Sequence, residues 1–194
     1  MVRAILFDCF GVLVGTGFEH TYRVAGGDPV KDREFIEDKL RQENLGFITP
    51  EDFQEALIRK LSITDDDWQR AIGQAEQPDL ELLRYIEQLR KTYKIAVMSN
   101  ASLGVVESRI GAKWLKKCFD EVVVSAEIGL IKPDPAIYSY TAERLGVPPG
   151  DCVFVDDREI HLGPARSLGM LTVLYEGFLQ TKAKLERLLA DTKS

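Results

Sequence analysis

Five short and almost continuously apolar runs recur along the chain: Val2 to Phe7, Ile95 to Met98, Val122 to Val124, Cys152 to Val155 and Leu171 to Leu174. Runs of this length, partly β-branched and apolar on successive positions, read as strands buried on both faces. Between them lie longer stretches with helical spacing, such as Leu80, Leu83, Ile86 and Leu89, then Ile137, Tyr140, Thr141 and Leu145, and finally Leu185, Leu188 and Leu189. Strand and helix in alternation predict parallel strands joined by right-handed helical crossovers. The expected fold is therefore α/β, a Rossmann-like open parallel sheet with helices on both faces. In such sheets ligands bind beyond the carboxyl ends of the strands, so the residues that follow each run carry the functional information.

One stretch breaks the rhythm. From about Thr16 to Gln77 no strand pattern occurs, but several amphipathic helical segments do. Thr49-Pro50-Glu51-Asp52 has an N-cap followed by proline at the first helical position, and Thr64-Asp65-Asp66-Asp67 is a second helix start. The expectation is a small all-helical cap domain at 16–78 inserted into a core made of 1–15 and 79–194. Gly15 and Gly17 before the insert and Pro78 after it are the expected hinge or linker residues.

A length of 194 residues accommodates one compact core with such an insert, and 45% hydrophobic with 29% charged residues is ordinary globular usage. The net charge of −6, without a dense Lys/Arg cluster, argues against nucleic acid as a partner. The apolar runs fall far short of the roughly 20 residues that span a bilayer, and the N-terminus lacks a basic region followed by a signal-type apolar stretch. No membrane partner and a cytoplasmic location are expected. Cys9, Cys118 and Cys152 lack the paired spacings of a zinc site or a disulfide scaffold and read as reduced packing residues.

Polar groups follow four of the runs. The first ends in Leu6-Phe7-Asp8-Cys9-Phe10-Gly11, the second in Val97-Met98-Ser99-Asn100, and the fourth in Val153-Phe154-Val155-Asp156-Asp157. After the third comes Gly129-Leu130-Ile131-Lys132-Pro133-Asp134-Pro135. Taken singly, each has a bland reading: Asp8 could cap a turn, Lys132 could be a loop cation, Ser99 could cap a helix near Ser102, and Asp134 starts the next helix. Brought together at one sheet edge, they make sense as a phosphoryl-transfer site. It has a carboxylate to attack, a hydroxyl and an ammonium to hold phosphoryl oxygens, and further carboxylates for a cation. Hard oxygen ligands in small number suit Mg2+ better than zinc.

These four segments, in this order, resemble the four motifs of the haloacid dehalogenase superfamily. Pro133, Pro135, Tyr138, Ala165, Leu168 and Gly169 also resemble the subfamily whose helical cap follows the first motif. The resemblance implies a nucleophile at Asp8 that forms a covalent intermediate, a hydroxyl at Ser99 that binds the transferring group, and Asn100 beside it as an orienting and substrate-binding residue. It implies that Lys132 neutralises nucleophile and phosphate. It further implies Mg2+ held by Asp8, the backbone carbonyl of Phe10, Asp156 and Asp157. His161 stands where relatives often have Asp or Asn, and is expected to support Asp157 or Lys132 or to lie at a helix start.

The pattern departs from the family at Phe10, where phosphatases and mutases carry a second aspartate that protonates the leaving oxygen. A phenylalanine cannot transfer a proton, and such catalysis is worth about 10²–10⁴-fold. Three readings follow. One is a phosphatase-type enzyme acting on a small phosphorylated substrate with another acid, for which His20 is a candidate, or with a good leaving group. Another is a catalytically silent member that binds a phosphorylated ligand or a protein. The third is a 2-haloacid dehalogenase, whose halide needs no proton and whose arginine could be Arg23, Arg33 or Arg41. Phe18, His20, Tyr22 and Arg23 are the expected cleft residues of the cap, and Trp68 and Trp114 are expected to pack.

Overall fold

A computed structural model of the chain describes residues 1–15, 17–102 and 104–191. The chain opens with β1 (Ala4–Phe7) and then runs through four helices, α1 (Phe18–Val24), α2 (Arg33–Asn44), α3 (Pro50–Leu61) and α4 (Asp65–Ala75). It continues with α5 (Leu80–Leu89), β2 (Lys94–Ser99), α6 (Val105–Ile110), α7 (Ala112–Cys118), β3 (Glu121–Val124), α8 (Ser125–Ile128) and α9 (Pro135–Arg144). After a 3-10 turn at Pro149–Asp151 come β4 (Cys152–Asp156), α10 (Glu159–Ser167), β5 (Leu171–Leu174) and α11 (Phe178–Asp191). The five expected strands are all present, within two residues of their apolar runs.

All pairings are parallel, and the sheet order is β3-β2-β1-β4-β5. The chain moves outward from β1 through β2 to β3 and then returns to the other side of β1 for β4. β1 and β4 therefore flank the point where the winding reverses, with Phe7 paired to Val97 on one side and to Val155 on the other. Helices leave these two strands in opposite directions, which opens a crevice at their carboxyl ends.

Successive side chains of a strand point to opposite faces, so a run apolar at every position must be covered twice. Ile5, Phe7, Ile95, Val97, Val153 and Val155 pack on one face with Leu82, Leu83 and Ile86 of α5 and Leu185 and Leu189 of α11. Ala4, Leu6, Ala96, Met98, Cys152 and Phe154 pack on the other with Ile137, Tyr138 and Ala142 of α9 and Leu162 and Ala165 of α10. Helices thus cover both faces.

The segment between β1 and α5 has a third cluster of its own, built from Tyr22, Ile36, Phe53, Leu57 and Trp68. Its helices start as their sequences dictate. Thr49 accepts from the Asp52 amide at 3.1 Å and Thr64 from the Asp67 amide at 3.2 Å, each with the reciprocal bond that completes a capping box. The two connections to the core run side by side: Val14 bridges both Phe10 and Pro78, and the Gly15 amide donates to the Gln77 carbonyl at 3.0 Å. Gly15 has positive φ, and a Cβ there would run into the Ala75 carbonyl, so only glycine fits this crossing. The boundary expected at residue 16 lies outside the described residues. Among the described residues no helix is long and apolar enough to cross a membrane.

Candidate active site

Asp8 follows β1 directly, and its amide donates to the Val155 carbonyl at 2.9 Å, which carries the sheet pairing one residue further. Its Oδ1 accepts from the Cys9 amide at 2.7 Å and lies 2.7 Å from Nζ of Lys132. The same ammonium lies 2.8 Å from Oδ2 of Asp156, the last residue of β4. Asp156 is fully buried; its Oδ1 also accepts from the Arg158 amide at 2.9 Å, and Nδ1 of His161 lies 3.0 Å from both oxygens. The chain is Asp8, Lys132, Asp156, His161, with Lys132 3% exposed and His161 5% exposed.

The electrostatics follow from one cation serving two buried acids. Burial opposes ionisation of Lys132, but the charges of Asp8 and Asp156 outweigh it and raise its pKa above the ordinary lysine value. Burial also opposes ionisation of Asp156, yet His161 and Lys132 hold it down at about 2. Asp8 carries the residual repulsion: burial, with Asp156 and Asp157 adding to it, pushes it up to about 7 against the pull of Lys132. Asp157, raised by burial and by Asp156, reaches the surface next to Gly11, where a Cβ would collide with the Asp157 carboxylate.

Ser99 closes β2 and is fully buried, and its Oγ has no hydrogen-bond partner among the described residues. Asn100 is committed to the backbone of Lys132: its Oδ1 accepts from the Lys132 amide at 2.7 Å and its Nδ2 donates to the Lys132 carbonyl at 2.9 Å. It holds the loop that delivers the ammonium. A cavity of about 590 Å³ is bordered on the sheet side by Asp8, Phe10, Ser99, Lys132, Asp157 and His161. Asp134 caps α9 by accepting from the Ala136 amide at 2.9 Å.

Residues 2–169 match the profile of the haloacid dehalogenase-like hydrolase family. The chain belongs to that family. A phosphatase of Mycobacterium tuberculosis is 30% identical over 210 aligned positions, covering 98% of this chain and 94% of the relative. The bifunctional epoxide hydrolase 2 of Mus musculus is 37% identical over 73 residues, which are 38% of this chain and 13% of that protein. A family enzyme of Bacteroides thetaiotaomicron, crystallised with magnesium and inorganic phosphate, superposes with a TM-score of 0.71 at 22% identity, covering 91% of this chain and 95% of the other. That likeness speaks to the fold.

In this haloacid dehalogenase-like chain the far wall of the cavity comes from the helical insert. Phe18, His20 and Arg23, expected at the cleft, do line it, whereas Arg33 and Arg41 are not lining residues. Tyr22 is a correction. It is fully buried in the insert, with its hydroxyl donating to Asp32 at 2.9 Å, because its turn of α1 faces the insert's own core. Trp68 packs in that core as expected, and it also borders the cavity.

Two acids at the junction of insert and core went unread in the sequence. Glu43 accepts from the Ser102 hydroxyl at 2.6 Å. Glu76 accepts from Thr21 at 2.8 Å and pairs with Nε of Arg109 at 2.6 Å. A signal existed. Glu43 extends the stripe Ile36, Leu40, and Glu76 extends Trp68, Ile72, so each stands where helical spacing calls for an apolar residue. Burial of Glu43 raises its pKa, although the Ser102 hydrogen bond works the other way.

Proposed function

We propose that this chain is a phosphatase-type hydrolase that acts on a small phosphorylated molecule through a covalent intermediate on Asp8. The observation that carries the reading is the buried Ser99 hydroxyl, unpartnered in a cavity that also holds the Asp8–Lys132 pair. A buried hydroxyl is normally satisfied, and a phosphoryl oxygen is the partner this one lacks. Lys132 adds the charge for a second phosphoryl oxygen while keeping the Asp8 carboxyl in place. With Oδ1 of Asp8 held by Lys132 and the Cys9 amide, Oδ2 is assigned the attack on phosphorus.

The donor set fits Mg2+. Asp8, Asp157 and the Phe10 carbonyl are hard oxygen donors, and the raised pKa of Asp8 and Asp157 marks a place where negative charge exceeds its compensation. Asp8, Asp156 and His161 also have donor atoms within 4.8 Å of one another. The Lys132 ammonium already neutralises Asp8 and Asp156 there, so the proposal puts the ion on the Asp157 side, with Asp156 holding Lys132. When bound, the ion supplies charge neutralisation between an anionic nucleophile and an anionic substrate.

The helical insert acts in this reading as a cap that excludes water and selects the leaving group. Phe10 favours a second reading, a silent binder of phosphorylated ligands, because it cannot protonate a leaving oxygen. A screen of phosphate esters with and without Mg2+, run beside Asp8→Asn, separates the two. Turnover that needs both Asp8 and Mg2+ is expected. Saturable binding of beryllium fluoride with Mg2+, but no turnover of any ester, would leave the silent binder.

A further inference from the structure

We propose that the leaving group is a flat, apolar alcohol, so that the substrate class is an aryl phosphate monoester. This rests on the phosphatase-type reading above and adds to it the chemistry of the group that departs.

The first observation is the composition of the cavity wall opposite Asp8 and Ser99. Phe18 stands there with the edges of Phe53 and Trp68, which are only 8% and 4% exposed, and the Phe18 ring centroid lies 5.6 Å from that of Phe53 and 6.2 Å from that of Trp68. Ile36, Leu40 and Ile72 continue it. Aromatic surfaces in this arrangement accept a further ring by offset or edge contacts.

Apart from Ser99, most of the interior polar side chains are already engaged. Glu43 takes the Ser102 hydroxyl, Glu76 takes Thr21 and Arg109, and both functional atoms of Asn100 go to the Lys132 backbone. The amide of Gln54 is shared between Asp65 and Gln69. The charged lining residues Glu19, His20, Arg23 and Glu37 are exposed at the rim. A polyol or sugar entering this space would surrender more hydrogen bonds to water than it recovers there.

The second observation is independent and comes from the core. Phe10, two residues after Asp8, lines the cavity with a side chain that has no proton to give a poor leaving group. An aryloxide spreads its charge into the ring and depends on such a donor far less than an alkoxide does. In the proposed reaction an Asp8 oxygen bonds to phosphorus as the bond from phosphorus to the aryl oxygen breaks. The aryloxide leaves with the bonding pair and takes a proton from water. A second water then attacks phosphorus and loses a proton, the bond to Asp8 breaks, and inorganic phosphate and the free carboxylate result.

The test uses the whole chain with Mg2+. Turnover of 1-naphthyl phosphate and of glycerol 3-phosphate is compared for wild type and Asp8→Asn. Inhibition of naphthyl phosphate turnover is then compared for naphthylmethylphosphonate and a dihydroxyalkyl phosphonate, which share the anion and differ in the body. We expect Asp8-dependent turnover that favours the naphthyl ester, and inhibition about tenfold or more tighter by the aromatic phosphonate. In Phe18→Ala that difference should shrink while inhibition by inorganic phosphate stays constant, which a general loss of structure would not produce. Asp8-dependent turnover with equal or tighter inhibition by the dihydroxyalkyl phosphonate would overturn the substrate class and leave the phosphatase-type reading intact. An aromatic preference untouched by Phe18→Ala would overturn the assigned wall. No Asp8-dependent turnover of any ester would remove the phosphatase-type reading and this inference together.

Discussion

Nζ of Lys132 lies 2.7 Å from Oδ1 of Asp8, and the two side chains are drawn from segments more than a hundred residues apart. Asp8→Asn keeps the shape of the side chain and leaves Lys132 paired with Asp156. It is expected to fold with a near-normal melting temperature and to lose phosphate-ester turnover by at least about 10³-fold, since the amide is no nucleophile. Steady-state rates and a thermal melt check both halves. Substantial residual turnover would remove Asp8 from the role of attacking group.

Lys132→Met removes the ammonium that pairs with both Asp8 and Asp156. Breaking a buried ion pair from one side costs about 3–5 kcal/mol, because the partner charges remain. Asp8 is already pushed up to about 7 and rises further without the ammonium, so the folded state binds a proton there more tightly than the unfolded chain does. The variant should therefore regain stability as pH falls from about 7 towards 5. Chemical denaturation at the two pH values measures this, and a loss that is the same at both would contradict it.

Mg2+ affinity should rise with pH. Asp8 is pushed up to about 7 by burial and by its acidic neighbours, and Asp157 is raised for the same reasons. Each must release a proton before it can ligate a cation, so binding is expected to strengthen between about pH 5 and 8 and to release protons. Calorimetry in buffers of different ionisation enthalpy reads the proton count. A flat pH profile with no proton release would place the ion away from these two acids.

Phe10→Asp places a titratable group two residues after Asp8. Turnover of alkyl phosphates should increase by at least about tenfold, a fraction of the 10²–10⁴ that general acid catalysis can supply. Aryl phosphates should gain less, because their leaving group depends less on a proton. Equal gains for both would mean that Phe10 limits the rate by another route.

Arg109→Met takes the guanidinium from the buried Glu76 and leaves it the Thr21 hydroxyl. Leaving a buried acceptor short of its donor costs about 1–3 kcal/mol. The loss should fall on the junction of insert and core, so amide exchange is expected to quicken in α1 and α4 before it does in β1 and β4. Uniform acceleration across the sheet would show that the pair acts on global stability instead.

The strands and their polar termini were legible because the signals are local. An apolar run such as Val153 to Val155 needs cover on two faces whatever its neighbours are, and Thr49 or Thr64 caps a helix from three residues away. The order in which Asp8, Ser99, Lys132 and Asp156 follow the first four strands was likewise readable by position alone. Tyr22 was not, because its direction depends on where α1 docks.

What the linear chain settled by itself was an alternating α/β core with its candidate reactive groups after the strands. Folding alone decided that β4 returns to the side of β1 opposite β2, that Asn100 serves the Lys132 backbone, and that Glu43 and Glu76 join the insert to the core. These outcomes depend on contacts between residues 30 or more positions apart, such as Glu43 with Ser102 at a separation of 59 and Leu6 with Phe154 across β1 and β4. Such contacts form only where packing of whole elements brings the groups within hydrogen-bond reach, and no local periodicity encodes them.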